Sequence, residues 1–163
     1  STVLSVSSSF WAGIFQTFLM LLSWLCNILS QSVEIYVSKN FSFDGDSKLM
    51  VEMDDNPVKL NFRMNITGYN KYLSKKTVEL IFPGQVDLQS VGGKSYYQVI
   101  DNRIKIDLDR VVSGQTKHLD GYALDFSVLL IKNDTSFQND LMIEKHSGFL
   151  SQSLKTKVRM VSK

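Results

Sequence analysis

The chain has 163 residues, of which 44% are hydrophobic and 21% charged, with a formal net charge of +2. That length holds one domain of ordinary size plus an appendage. So small a net charge, with no run of five or more basic residues, gives no footing for nucleic acid, and the one cysteine, Cys26, excludes an intrachain disulfide.

Charge is distributed unevenly. Residues 1–33 carry none, and the other 130 hold all 18 Lys and Arg and all 16 Asp and Glu. Within the uncharged head, positions 10 to 29 read FWAGIFQTFLMLLSWLCNIL. Its large apolar residues are Phe10, Trp11, Ile14, Phe15, Phe18, Leu19, Met20, Leu21, Leu22, Trp24, Leu25, Ile28 and Leu29. On a helix they lie all round the axis, whereas a helix packed on its own domain has a polar face. A secretory signal needs a basic n-region and a shorter apolar core, and STVLSVSSS has no Lys or Arg. The chain starts at Ser1 rather than Met, which fits earlier processing. About 20 apolar residues also suffice to cross a bilayer as a helix.

Burying 13 such side chains is worth roughly 20–40 kcal/mol, at about 1.5–3 kcal/mol each. A whole domain is stable by only about 5–15 kcal/mol. The head must therefore be covered, by a bilayer or by neighbouring copies of itself.

From Glu34 onward the hydrophobic period becomes two. Leu60, Phe62, Met64 and Ile66 alternate with Lys59, Asn61, Arg63 and Asn65, the pattern of a half-buried strand. The same alternation predicts strands through Val78, Leu80 and Phe82, through Ile104, Ile106 and Leu108, and through Tyr122, Leu124, Phe126, Val128 and Leu130. Weaker patterns place strands at Glu34–Ser38, Leu49–Met53, Tyr96–Ile100, Leu141–Lys145 and Thr156–Val161. Turn signals separate them: Asp44-Gly45-Asp46, Asp54-Asp55-Asn56-Pro57, Thr67-Gly68-Tyr69-Asn70, Pro83-Gly84, Gly92-Gly93, Asp101-Asn102, Ser113-Gly114 and Asp120-Gly121. About nine short strands at this spacing predict an antiparallel, Ig-like β-sandwich. The expected division is a hydrophobic helix over 1–33 and a β-sandwich over 34–163.

Two resemblances follow from these residues. An uncharged helix over Ser1–Val33, a switch at Glu34 and a soluble head resemble the plan of type IV pilins. Position 5 is Ser5, where bacterial type IV pilins place a Glu, so the likeness points to the archaeal kind. The segment Val78 to Lys132, with VELIFPG, YYQVIDNRIKIDLD and LDGYALDFSVLLIK, resembles the immunoglobulin-like repeats of bacterial and archaeal surface proteins. The pilin resemblance implies that the helix waits in a membrane and then packs with copies of itself. The second implies a surface location and names no ligand.

Catalytic and metal patterns are weak. Gly92-Gly93 has neither the spacing nor the following helix of a phosphate loop. His118 and His146 precede Gly-containing turns and read as exposed turn residues. Asp44, Asp46, Asp54 and Asp55 cluster without the later Glu of a calcium loop, and Asp101, Asp107 and Asp109 read as surface residues. Zinc-type Cys/His spacing is missing, and Cys26 in an apolar helix stays a protonated thiol. No cofactor and no enzyme activity are expected. Three Asn-X-Ser/Thr sequons begin at Asn40, Asn65 and Asn133 and are candidate glycosylation sites outside the cytoplasm.

The sequence thus reads as a structural, non-enzymatic subunit of a cell-surface filament, its helices forming the fibre core and its sandwiches displayed outside. The rival reading is a single-pass, membrane-anchored Ig-like accessory subunit of an envelope or secretory complex, whose helix has one face adapted to partner helices.

Overall fold

The computed structural model describes residues 2–45, 47–133, 135–144 and 150–163, with side chains from Ser7 onward. It is mainly β with one long N-terminal helix. Helix α1 spans Thr2–Leu29 with no proline to interrupt it. It ends where the Ser30 N–H donates to Cys26 O (2.9 Å) and the Ser30 hydroxyl donates to Asn27 O (3.1 Å).

The strands follow in order: β1 Ser32–Ser38, β2 Lys48–Met53, β3 Val58–Tyr69, β4 Thr77–Ile81, β5 Val86–Val91, β6 Tyr97–Ile100, β7 Arg103–Asp107, β8 His118–Lys132, β9 Gln138–Asp140, β10 Met142–Glu144, β11 Ser151–Leu154 and β12 Lys157–Ser162. Two single-turn helices interrupt them, α2 at Asn70–Leu73 and α3 at Leu108–Val112.

The first layer of the sandwich is a five-stranded sheet in the order β11-β1-β3-β8-β5. The second combines the sheets β10-β4-β7-β6 and β2-β12-β9. These two are joined by one short stretch, since β9 pairs with β12 and β10 pairs with β4. Leu141 between them is buried and donates its N–H to Val158 O at 2.9 Å.

The core lies between the layers. Leu60, Phe62, Met64 and Ile66 on β3 are fully buried, and Val78, Leu80, Ile104 and Ile106 on β4 and β7 are too. Phe62 stacks on Phe126 at 5.1 Å and meets Phe82 edge-on at 6.3 Å. The period of two is what puts these side chains on one face of each strand. Val51, Met53, Val158 and Met160 extend the same core beneath β2 and β12.

Several details differ from the expected pattern. The pairing is not wholly antiparallel: β1 runs parallel to β11, and β2 runs parallel to β12. Both pairs cross together from the first layer to the second, so the C-terminal segment shadows the first crossing. Strand β1 begins at Ser32, ahead of the expected Glu34, and Val33 is fully buried. The stretch expected to turn at Thr67-Gly68-Tyr69-Asn70 instead continues β3 to Tyr69 through a register shift between Ile66 and Gly68. Gly68 adopts φ +138° there, a conformation that disfavours side chains. Leu108 opens α3 rather than ending a strand, because Asp107 caps that turn by accepting the Asp109 N–H at 3.1 Å. Strands β5, β9 and β11 are additional to the expected set.

Asn61 and Ser127 also depart from the outward, solvated places that alternation gave them. Asn61 is 1% exposed; its amide donates to Lys39 O at 3.0 Å, and its oxygen accepts the Ser127 hydroxyl at 2.7 Å. The segment after β1 covers them, with the Arg63 guanidinium 4.6 Å from the Phe43 ring and Lys59 Nζ 5.8 Å from the Phe41 ring.

Candidate functional site

The largest uncovered feature of the molecule is α1. Ser7–Leu29 is long and apolar enough to cross a membrane. Its 23 residues measure about 35 Å at the helical rise, against about 30 Å of bilayer hydrocarbon. Phe10, Trp11, Ile14, Phe15, Phe18, Leu19, Leu21, Leu22, Trp24, Leu25 and Leu29 are all exposed, from 42% for Leu25 to 64% for Phe10. Met20 is 68% exposed. Ile28 differs, being 8% exposed at the base of the helix, where α1 meets β3.

The joint between helix and sandwich is tight. Gln31 is 2% exposed and lies against Gly68, where an added Cβ would come 3.0 Å from Gln31 Cγ and 3.3 Å from its Cα. Gln31 O accepts the Ser151 N–H at 3.0 Å, tying the joint to β11. The side-chain oxygen of Gln31 is buried and accepts no hydrogen bond within the described residues.

The helix surface is not apolar all round. Gln16, Ser23 and Asn27 fall on one stripe, with Ser9 and Ser30 on the same line, because Ser9, Gln16, Ser23 and Ser30 are spaced seven apart. Gly13, Met20 and Asn27 fill the alternate turns, again seven apart. Seven residues are close to two helical turns, so both series stay within about 60° of one line. Thr17 lies to one side with its hydroxyl donated back to Gly13 O at 2.9 Å. Counting apolar residues hid this stripe; the seven-residue spacing of the polar ones reveals it.

On the sandwich, Arg63 and Asp125 form a two-pronged pair, with Nε–Oδ1 and Nη2–Oδ2 both at 2.8 Å. The hydrogen bonds from Arg63 hold the Asp125 carboxyl below the usual carboxylate range, against a smaller rise from desolvation. A cleft of about 260 Å³ is lined by Lys75, Tyr96, Lys105, Asp107 and Arg110 among others. Three of its charges have partners within the chain: Arg110 Nε is 3.3 Å from Asp107 Oδ2, and Lys105 Nζ is 3.9 Å from Glu79 Oε1.

His118 is exposed and sits edge-on to Tyr69 at 4.5 Å. His146 and Asp46 lie outside the described residues, as does the end of the expected strand at Lys145. Asp44, Asp54, Asp55 and Asp101 are exposed; Asp54 accepts the Asn56 N–H at 2.8 Å in a turn. Among the described residues, no group of three or more His, Cys, Asp or Glu could hold a metal ion. Cys26 is exposed on α1.

The three sequons occupy different settings. Asn40 is exposed, its side-chain oxygen accepting the Ser38 hydroxyl at 2.9 Å and the Ser42 N–H at 3.4 Å. Asn65 is half-buried in the middle of β3, opposite Glu34 on one side and Ala123 on the other. Asn133 is half-buried, with its amide donating to Asp87 at 3.3 Å.

No protein-family model matches the chain, and no curated protein matches it. Among solved structures, it is similar to a cohesin of a type I cohesin–dockerin complex from Clostridium thermocellum, at 12% identity over 82% of this chain and 95% of that one, TM-score 0.42. It is similar also to a non-cellulosomal cohesin from the archaeon Archaeoglobus fulgidus, at 12% identity over 81% and 91%, TM-score 0.40. A third is CaCohA2 from Clostridium acetobutylicum, at 8% identity over 82% and 92%, TM-score 0.43. Similarity this distant does not make the chain a cohesin.

Proposed function

We propose that the chain is a structural subunit of a cell-surface filament. Its α1 packs with copies of itself as the fibre core, and its sandwich is displayed outside. One observation carries this reading: a 28-residue, uncharged helix projects from a complete sandwich with its large apolar side chains exposed. Roughly 10–20 kcal/mol of apolar burial is left unmade in the single chain, since twelve of these side chains are about half exposed. Helices that carry no charge can surround one another without desolvating an ion. Before assembly the same helix rests in the membrane.

Mechanical shearing of cells tests it. The reading expects the chain to be released with surface fibres, and it fails if shearing releases none and the chain leaves the membrane only in detergent.

That second result would favour a single-pass anchor holding the sandwich as an accessory of an envelope complex. The match between the length of Ser7–Leu29 and one bilayer crossing supports this rival. In either case the sandwich lies outside the cytoplasm, and Asn40 is the sequon most open to a transferase.

A further inference from the structure

We propose that the stripe of α1 carrying Gln16, Ser23 and Asn27 is a self-association face, through which two copies of this chain lie side by side in the membrane. The inference rests on the reading that α1 is covered by an apolar phase, and it says which face of the helix meets the other copy.

Two amides lie on the stripe. Gln16 sits near the centre of the span and is exposed, and Asn27 is half-exposed near its base. Neither amide group makes a hydrogen bond among the described residues. In water that costs nothing. In hydrocarbon an amide without a partner is expensive, and lipid tails offer none. The stripe must therefore face something that carries donors and acceptors at the same depth.

A second copy meets that requirement. The sandwich fixes which end of α1 points outward, so two copies in one membrane lie parallel. Equal spans lie at equal depth, which sets Gln16 beside the partner's Gln16 and Asn27 beside the partner's Asn27. An amide is both donor and acceptor, so like pairs with like.

The spacing supports the same geometry. Ser9, Gly13, Gln16, Met20, Ser23 and Asn27 alternate steps of four and three, the seven-residue repeat of helices that wind round each other with a left-handed twist. Gly13 and the two serines are small, and nothing lies within 4 Å of a Cβ built on Gly13. Small residues let two backbones approach closely. The bulky side chains Phe18 and Leu25 are on the far side and are left for lipid, or for further copies after assembly.

The test uses the full chain in membranes, in a Cys26→Ser background. One variant adds Ser23→Cys on the stripe; the other adds Leu25→Cys on the opposite side. Oxidation should link the Ser23→Cys chains into dimers and leave the Leu25→Cys chains as monomers. Adding Gln16→Leu and Asn27→Leu should weaken pairing by about an order of magnitude, at about threefold for each amide pair. Gln16→Leu alone, remote from the sandwich, should give about a threefold loss without touching the fold. Equal linking at both positions, or none at either, with the chain still in the membrane, overturns the pairing face alone. Recovery of the chain in the aqueous fraction overturns it together with the covered-helix reading beneath it.

Discussion

Val37 donates its backbone N–H to the hydroxyl oxygen of Thr156 at 3.0 Å, across 119 residues of chain. Both lie where β1 and β11 leave the first layer, and Thr156 is 1% exposed. Lys155 N–H to Ile35 O at 2.8 Å and Lys157 N–H to Ser47 O at 2.9 Å complete the fastening on either side. Thr156→Val keeps the shape and leaves the Val37 N–H buried without a partner. It should cost about 1–3 kcal/mol, and Thr156→Ser should recover much of that. Urea unfolding of both variants checks it.

The joint between helix and sandwich gives a second, opposed pair of outcomes. Gly68→Ala forces a Cβ against Gln31 at a φ of +138° and should destabilise by about 1–3 kcal/mol. Gln31→Met removes a buried oxygen that has no partner among the described residues. It should be neutral or stabilising by up to about 1 kcal/mol. Thermal unfolding distinguishes the two signs.

The Arg63–Asp125 pair sets a modest acid dependence. The folded carboxyl titrates below its unfolded value of about 3.9, held there by Arg63. Its contribution is therefore complete above that value and is lost as pH falls through the lower, folded one. Both side chains are 40% exposed, so solvent screening limits the pair to about 0.5–1 kcal/mol. Asp125→Asn should remove that amount at pH 7 and flatten the acid limb of a stability-against-pH curve below about pH 4.

A charge in the middle of α1 should separate assembly from folding. Phe18 is 58% exposed in the single chain, so Phe18→Arg leaves the sandwich core untouched. In a bilayer or a fibre core it should cost about 2.5–3.5 kcal/mol. Circular dichroism should show the β signal unchanged, while recovery in the membrane or fibre fraction falls.

Asn40 should carry any sugar that the sequons receive, because Asn65 is held in mid-strand and Asn133 is tied to Asp87. Mass spectrometry of native material reads this directly, and Asn40→Gln should abolish the added mass.

Where one face of a strand is buried, the sequence showed it. Leu60, Phe62, Met64 and Ile66, or Val78 and Leu80, alternate because a sandwich has one dry side. Of the strands that escaped reading, β5 does bury Val86 and Leu88, through an alternation too short to stand out, whereas β9 and β11 have little or nothing to bury: Gln138, Asn139 and Asp140 are all exposed, and β11 is Ser-Gln-Ser-Leu. Backbone pairing with β12 and β1 holds them, and pairing leaves no hydrophobic pattern. The parallel crossings were hidden for the same reason, since Thr156 meets Val37 only in the folded chain. Asn61 reads as a surface residue until the loop over it is seen. The exposed helix was legible as an apolar run, but its end was not: absence of charge runs on to Val33, whereas the helix stops at Leu29 and β1 begins at Ser32. Its polar stripe needed a seven-residue count, because three amide and hydroxyl side chains are lost among a dozen large apolar ones.

The central claim is that α1 is covered by other copies of itself. Negative-stain electron microscopy of the sheared surface fraction, with the chain identified there by mass spectrometry, tests it most directly. The account predicts uniform fibres built of this chain, with α1 protected from proteolysis inside them. Fibre-free material, with the chain retained in membranes until detergent is added, would contradict it.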